Sequence, residues 1–161
     1  MIVEHGALPD DCAALTALNN AAVPAVNTLS EAEFAKIAAM GTLFVARNEG
    51  AIAGMLLLLP GNAAYESLNF AWFQARYDAF LYVDRVVVAP AAQALGVGRR
   101  LYEAGFALAA AEGFPRICAE VNVRPPNPGS HAFHARMGFD VLEERYNPAA
   151  DKTVAMMTRL I

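Results

Sequence analysis

The passage from Arg85 to Gly105 constrains the fold more than any other stretch. Arg85 to Pro90 reads RVVVAP, the end of a run rich in β-branched residues, and Gln93 to Gly105 reads QALGVGRRLYEAG, a glycine turn leading directly into a helix. A strand that hands over to a helix in so short a space predicts a sheet with a crossover helix packed on it. Gly96 and Gly98 are free to adopt positive φ and to let backbone amides approach a ligand. Successive N–H groups and the helix dipole then favour an anion such as a pyrophosphate, and Arg99 and Arg100 add positive charge in the first helical turn. A tight turn without a ligand is the plainer alternative. The dinucleotide fingerprint G-x-G-x-x-G fails because Leu101 holds its third glycine position, and no Gly-Lys-Ser/Thr follows as a P-loop requires.

Around this stretch the chain alternates strands and helices without internal repeats or linker-like segments. A short strand is expected at Ile2–Glu4 and an apolar-periodic helix from Pro9 to about Ala22, with Asp10 and Asp11 at its amino end and Pro24 beyond it. Ser30 and Glu33 stand at capping-box spacing and open a helix to Met40, ended by Gly41. Leu43–Arg47 and Ala51–Leu59 read as a hairpin turning at Asn48-Glu49-Gly50. Leu81–Val88 is a strand, Gly98–Glu112 a helix stopped at Gly113, and Pro115–Val123 a strand. Ser130–Met137 is a short helix stopped at Gly138, and Phe139–Tyr146 and Thr153–Ile161 are closing strands. The fold class is α/β, a mixed sheet flanked by helices. The 161 residues suit one domain, taken as 1–161, at roughly 100–200 residues per domain.

Composition narrows the function classes. The hydrophobic share is 57% and the charged share 17%, which excludes intrinsic disorder. The longest apolar run, Ala51 to Leu59, ends at Pro60, far short of the roughly 20 residues a bilayer span needs. No basic stretch leads into an apolar one near the amino terminus, so a secretory signal is not expected and the cytoplasm is the expected location. Net charge is −4, with twelve basic and sixteen acidic side chains dispersed along the chain, which argues against a nucleic-acid partner. So few surface charges leave self-association as a homodimer open. Three histidines and two cysteines, Cys12 and Cys118, in no ligand spacing make poor material for a metal site. Cys118 reads as a small buried hydrophobe.

Two motif blocks carry a resemblance. V-x-V-x-P followed by Q/R-x-x-G-x-G/A corresponds to Val86, Val88 and Pro90, then Gln93, Gly96 and Gly98; N-x-x-S/A-x-x-F/L-Y/H-x-x-x-G-F corresponds to Asn127, Ser130, Phe133, His134, Gly138 and Phe139. With these blocks in this order, the chain resembles the GNAT superfamily of acyl-coenzyme A dependent N-acetyltransferases, and its element order is similar to the family's throughout. The resemblance implies a central twisted mixed sheet whose parallel strands, Leu81–Val88 and Pro115–Val123, splay apart at their carboxyl ends. It implies acetyl-coenzyme A as cofactor, the pantetheine arm along Val86, Val87 and Val88. The pyrophosphate would lie on the turn of Gln93, Ala94, Leu95, Gly96, Val97, Gly98, Arg99 and Arg100, with Asn127, Ser130, Phe133 and His134 completing the site.

The implied reaction is direct attack of an amine on an acetyl thioester. An alkylamine with pKa near 10.4 costs roughly 4–5 kcal/mol to deprotonate at pH 7, whereas a thiol near 8.5 needs little help to leave, so a base is the residue to find. Asp84, expected on the face of Tyr82 and Val86, and Glu120, on the face of Cys118 and Asn122, are carboxylates in apolar strands. Each is either a base or a satisfied structural group: Asp84 through an arginine, Glu120 through a loop amide. The family's frequent acid on the first of these strands favours Asp84. His134 stands where many family members carry tyrosine near the coenzyme sulfur; it either protonates the thiolate, bridges a water, or only packs against the cofactor. His131 and His5 read as surface residues.

Between positions 65 and 82 lie seven of the fifteen aromatic residues. Such density suggests a wall over an acceptor pocket, with Trp72, Tyr77 and Tyr82 as substrate contacts, or else a dimer contact or additional core. The expected acceptor is a small-molecule amine, amino-acid-like in size. The alternative function is a GNAT-like module that binds acyl-coenzyme A without turnover.

Overall fold

The computed structural model describes residues 1–6 and 9–161. Strands β1 (Ile2–His5), β2 (Thr42–Asn48), β3 (Ala51–Pro60), β4 (Leu81–Val88), β5 (Arg116–Arg124), β6 (Asp140–Asn147) and β7 (Lys152–Leu160) form a sheet in the order β1-β2-β3-β4-β5-β7-β6. Every neighbouring pair is antiparallel except β4 and β5. Helices α1 (Cys12–Ala21), α2 (Glu31–Ala38) and α3 (Leu68–Gln74) cover one face, and α4 (Val97–Glu112) and α5 (Pro128–Arg136) the other. Among the described residues, no helix is long and apolar enough to cross a membrane.

The unbroken apolar run of β3 follows from burial on both sides. Leu56 and Leu58 pack under α4, while Met55, Leu57 and Leu59 pack under α1 to α3. The capping box forms as the spacing predicts, with Glu33 N donating to Ser30 Oγ at 3.1 Å and Ser30 N to Glu33 Oε2 at 2.7 Å.

The region from Pro60 to Phe80 supplies core through Phe70, Phe73 and Phe80 and part of a cavity wall through Tyr65 to Asn69. Ser67 Oγ accepts from Phe70 N at 3.3 Å and caps α3, whose aromatic side chains turn inward. Phe70 and Phe73 stack against Phe80 and Tyr82 at ring separations of 5.2–6.1 Å, and all four are fully buried. At the far end of the sheet β6 is an edge strand with a bulge at Leu142, and Val141, Leu142 and Tyr146 are exposed along it.

A second bulge shapes the centre of the sheet. Leu57 pairs with Arg85 while Leu58 pairs with Val83, so Asp84 is the extra residue on β4. Strict alternation predicts that Tyr82, Asp84 and Val86 share a face. The bulge shifts that phase: Tyr82 and Val87 pack on the α1–α3 side, and Val86 and Val88 turn to the α4 side.

Candidate active site

β4 and β5 pair only at Leu81–Ile117 and Tyr82–Cys118. Beyond Tyr82 the strands diverge, leaving the β5-facing backbone groups of β4 without a strand partner. That edge is suited to an extended ligand bonding as an added strand. A cavity of about 1270 Å³ opens beside it, lined by Val86, Val87 and Val88 on β4 and by Asn127, Ser130, Phe133 and His134 on and before α5. Gln93, Ala94, Gly96, Val97, Gly98 and Arg99 complete the lining at the start of α4. Leu95 and Arg100 do not reach it; Leu95 is half exposed and Arg100 faces solvent.

Within the turn, Ala94 and Gly96 take φ of 72° and 74°, in the left-handed region. For Ala94 this conformation costs about 1 kcal/mol, a strain fixed beside the helix start. The first amides of α4 have no intrahelical acceptor and point along the axis toward the cavity, as an anion requires. Gly98 departs from expectation: its φ is not positive. It lies inside α4, where a Cβ would stand 3.1 Å from Phe133 Cζ, so glycine here permits the close approach of α5. Arg99 is largely exposed and pairs with Glu103 at 2.7 Å. Open strand edge, helix amides and cavity size together fit a coenzyme A molecule.

A second cavity, of about 380 Å³, meets the first at Ala25, Val86, Asn127, Ser130 and His134. Glu120 on β5 faces it. Burial pushes the Glu120 carboxyl up to about 7, against the opposing hydrogen bonds of Tyr82 and Asn69. Tyr82 Oη donates to Oε1 at 2.5 Å and Asn69 Nδ2 at 3.2 Å, while the buried Oε2 has no hydrogen-bond partner among the described residues. Burial also raises Tyr82 well above the ordinary phenol range, so it remains a neutral donor.

Asp84 lines the same cavity but is matched by a cation. Arg85 Nε donates to Asp84 Oδ2 at 2.6 Å, with both side chains almost wholly buried. The other two guanidinium nitrogens reach Asn19 Oδ1 at 2.8 Å and Asn27 Oδ1 at 3.2 Å. Arg85 thereby ties the segment between α1 and α2 to β4. The Pro24 carbonyl of that segment accepts from Asn122 Nδ2 on β5 at 3.0 Å and from Lys152 Nζ on β7 at 2.9 Å. The segment is a strap fastened to strands on both sides of the opening.

His134 lines both cavities, with both ring nitrogens engaged. Nδ1 donates to Ser130 O at 2.8 Å, which leaves Nε2 to accept from the buried Tyr102 Oη at 2.6 Å. Burial lowers its pKa, so the ring is neutral near pH 7. Trp72 and Tyr77 line neither cavity. Arg76 lies 3.9 Å over the Trp72 ring and Arg116 3.8 Å over Tyr77, placing both on the outer side of the aromatic core. Cys118 is buried and bonded to Thr158, its thiol pushed up to about 12.

Sequence reasoning passed over Asn69, Arg85 and Tyr102. A serine three residues before Phe70 was the available signal for a helix start that would place Asn69. A lone arginine in an apolar strand was the signal for Arg85. Nothing local marks Tyr102, whose partner lies 32 positions away.

The GNAT acetyltransferase family model matches residues 13–139. Among solved structures, the ribosomal-protein-alanine N-acetyltransferase from Brucella melitensis is 19% identical, with all of both chains covered and a TM-score of 0.74. A GNAT family acetyltransferase from Elizabethkingia anophelis with acetyl-CoA bound is 15% identical over 99% of this chain and 97% of that one, with a TM-score of 0.71. An IAA acetyltransferase from Bacillus cereus is 16% identical over 99% of each chain, with a TM-score of 0.66. No curated protein matches the chain significantly. The splayed β4–β5 pair, the amide turn before α4 and the match over residues 13–139 lead to one assignment: the chain belongs to the GNAT acetyltransferase family.

Proposed function

We propose that the protein acetylates the primary amine of a small acceptor held in the 380 Å³ cavity, with Glu120 as the general base. One observation carries this reading: the Glu120 carboxyl, pushed up to about 7 by burial, lines a cavity continuous with the coenzyme-sized cleft, and its Oε2 has no hydrogen-bond partner among the described residues. Acetyl-coenzyme A supplies the acetyl thioester. Val86 to Val88 hold the donor's extended arm, and the first amides of α4, with Arg99 nearby, hold its phosphates. A base poised near 7 accepts the acceptor's proton where an unassisted amine would remain almost wholly protonated.

Asp84 is held by Arg85 and is assigned to fixing the strap. His134, neutral and engaged at both nitrogens, is assigned to packing where the two cavities meet. Ala25, Val26 and Asn27 of the strap line the second cavity, whose volume of about 380 Å³ supports a small acceptor over an extended chain.

The test is thiol release from acetyl-coenzyme A against panels of small amines and of short peptides with free amino termini. Turnover with small amines, rising with pH through about 7, is expected. Glu120→Gln should lower kcat/KM by about 10²–10⁴-fold and leave coenzyme binding intact. Peptide-only turnover would overturn the acceptor, and coenzyme binding with no transfer at all would point to a sensing module.

A further inference from the structure

The two oxygens of Glu120 stand in unlike surroundings. Oε1 takes both donors, Tyr82 Oη at 2.5 Å and Asn69 Nδ2 at 3.2 Å, and Oε2 takes none among the described residues. The donors come from separate elements. Tyr82 lies on β4 at the last pairing before the strands part, opposite Cys118, with its ring locked between Phe70 and Phe73 at 5.2 and 5.9 Å. Asn69 lies in the first turn of α3, which Ser67 caps.

A carboxylate has about four acceptor sites, and free choice would spread two donors over both oxygens. Here both converge on one. The buried tyrosine hydroxyl leaves the carboxyl little freedom to turn, because a rotation that exchanged the oxygens would break a short hydrogen bond to a buried donor.

We infer that Tyr82 and Asn69 are positioning residues that anchor Oε1 of Glu120 and thereby fix the orientation in which the carboxyl takes the acceptor's proton. The inference rests on Glu120 being the base. In the step, an N–H bond of the acceptor ammonium breaks, an O–H bond forms on the Glu120 carboxyl, and the electron pair stays on nitrogen for attack on the thioester. The two donors also favour the ionised carboxyl, so they keep a buried base active at lower pH than burial alone would allow.

The other titratable and charged groups facing Glu120 are Asp84 and Arg85 on β4, paired with each other, Tyr65 and Glu66 ahead of α3, Tyr102 on α4, His134 on α5, Lys152 on β7 and Cys118 on its own strand. None of these donates a hydrogen bond to either oxygen.

The experiment measures kcat/KM against pH with the best acceptor for the wild type, Tyr82→Phe, Asn69→Ala and Glu120→Gln, and follows the Glu120 carboxyl by carbon NMR titration. Loss of either donor should move the acidic limb and the NMR titration upward together, by about half a unit to one unit. The rate below the limb should then fall roughly three- to tenfold, with KM for acetyl-coenzyme A unchanged. If both single variants keep the wild-type limb and titration while Glu120→Gln is inactive, the positioning role is overturned and the base stands. If Glu120→Gln keeps the wild-type rate, the base reading fails first. Asn69→Ala, at a half-buried site, supplies the answer should Tyr82→Phe not fold.

Discussion

The burial that raises the Glu120 carboxyl carries a cost in stability that can be measured. The carboxyl titrates at 4.5 when unperturbed and at about 7 in the fold. Between these values the unfolded chain has released a proton that the native chain still holds, so rising pH favours unfolding at this site. The contribution of Glu120 is most favourable below 4.5 and declines by about 3 kcal/mol as pH rises to 7. Glu120→Gln removes this titration and keeps an acceptor oxygen for Tyr82. Urea denaturation across pH 4.5–8 should therefore show the variant gaining on the wild type as pH rises, even as activity is lost. A pH-independent difference would mean that Glu120 titrates normally. Sequence alternation alone put Glu120 on one face with Cys118 and Asn122; its raised pKa depends on α3 and β4, which no window around position 120 reveals.

At the scale of elements, the bulge at Asp84 separates two tasks on one strand. Before it, Tyr82 reaches Glu120; after it, Val86 and Val88 turn toward α4, and Val86, Val87 and Val88 line the coenzyme cleft. Between them, Arg85 anchors the strap by its bonds to Asp84, Asn19 and Asn27. Removing the cation leaves a buried carboxylate unmatched, which typically costs about 3–5 kcal/mol. Arg85→Met should lose that much in chemical denaturation, and Arg85→Met combined with Asp84→Leu should recover a large part of it. Equal losses in the single and double variants would show that the pair is not coupled. The salt-bridge alternative for Asp84 was open from the sequence, but its partner being the adjacent residue was not, because on a regular strand neighbours point to opposite faces.

At the scale of the whole molecule, the interior of the sheet opens where β4 and β5 part, and helices on both faces cover the core around that opening. Ligand held there binds the native chain alone and should raise its stability by mass action, by about 2.7 kcal/mol at a hundred times Kd. Thermal melts should show a shift of several degrees with coenzyme A and none with ATP or NAD at equal concentration. Equal shifts with all three would reduce the site to a generic phosphate pocket.

The sequence by itself determined what depends on local spacing. The strand-to-helix turn at Gly96, the capping box at Ser30 and Glu33, the two motif blocks and the α/β alternation are each written within a few residues, where backbone propensity and capping chemistry act. Tertiary structure alone divided the aromatic segment between core and cavity wall: Tyr65 to Asn69 and Tyr82 line the second cavity. Phe70, Phe73 and Phe80 became core, and Trp72 and Tyr77 faced away from both cavities, because a seven-residue helix with apolar side chains on every turn finds its inner face only against a sheet. It also decided which carboxylate is matched and which is poised. Asp84 and Glu120 look alike along the chain, but a buried charge is governed by its neighbours in space: Arg85 neutralises one, while Tyr82 and Asn69 hold one oxygen of the other and its second oxygen is buried without a hydrogen-bond partner among the described residues.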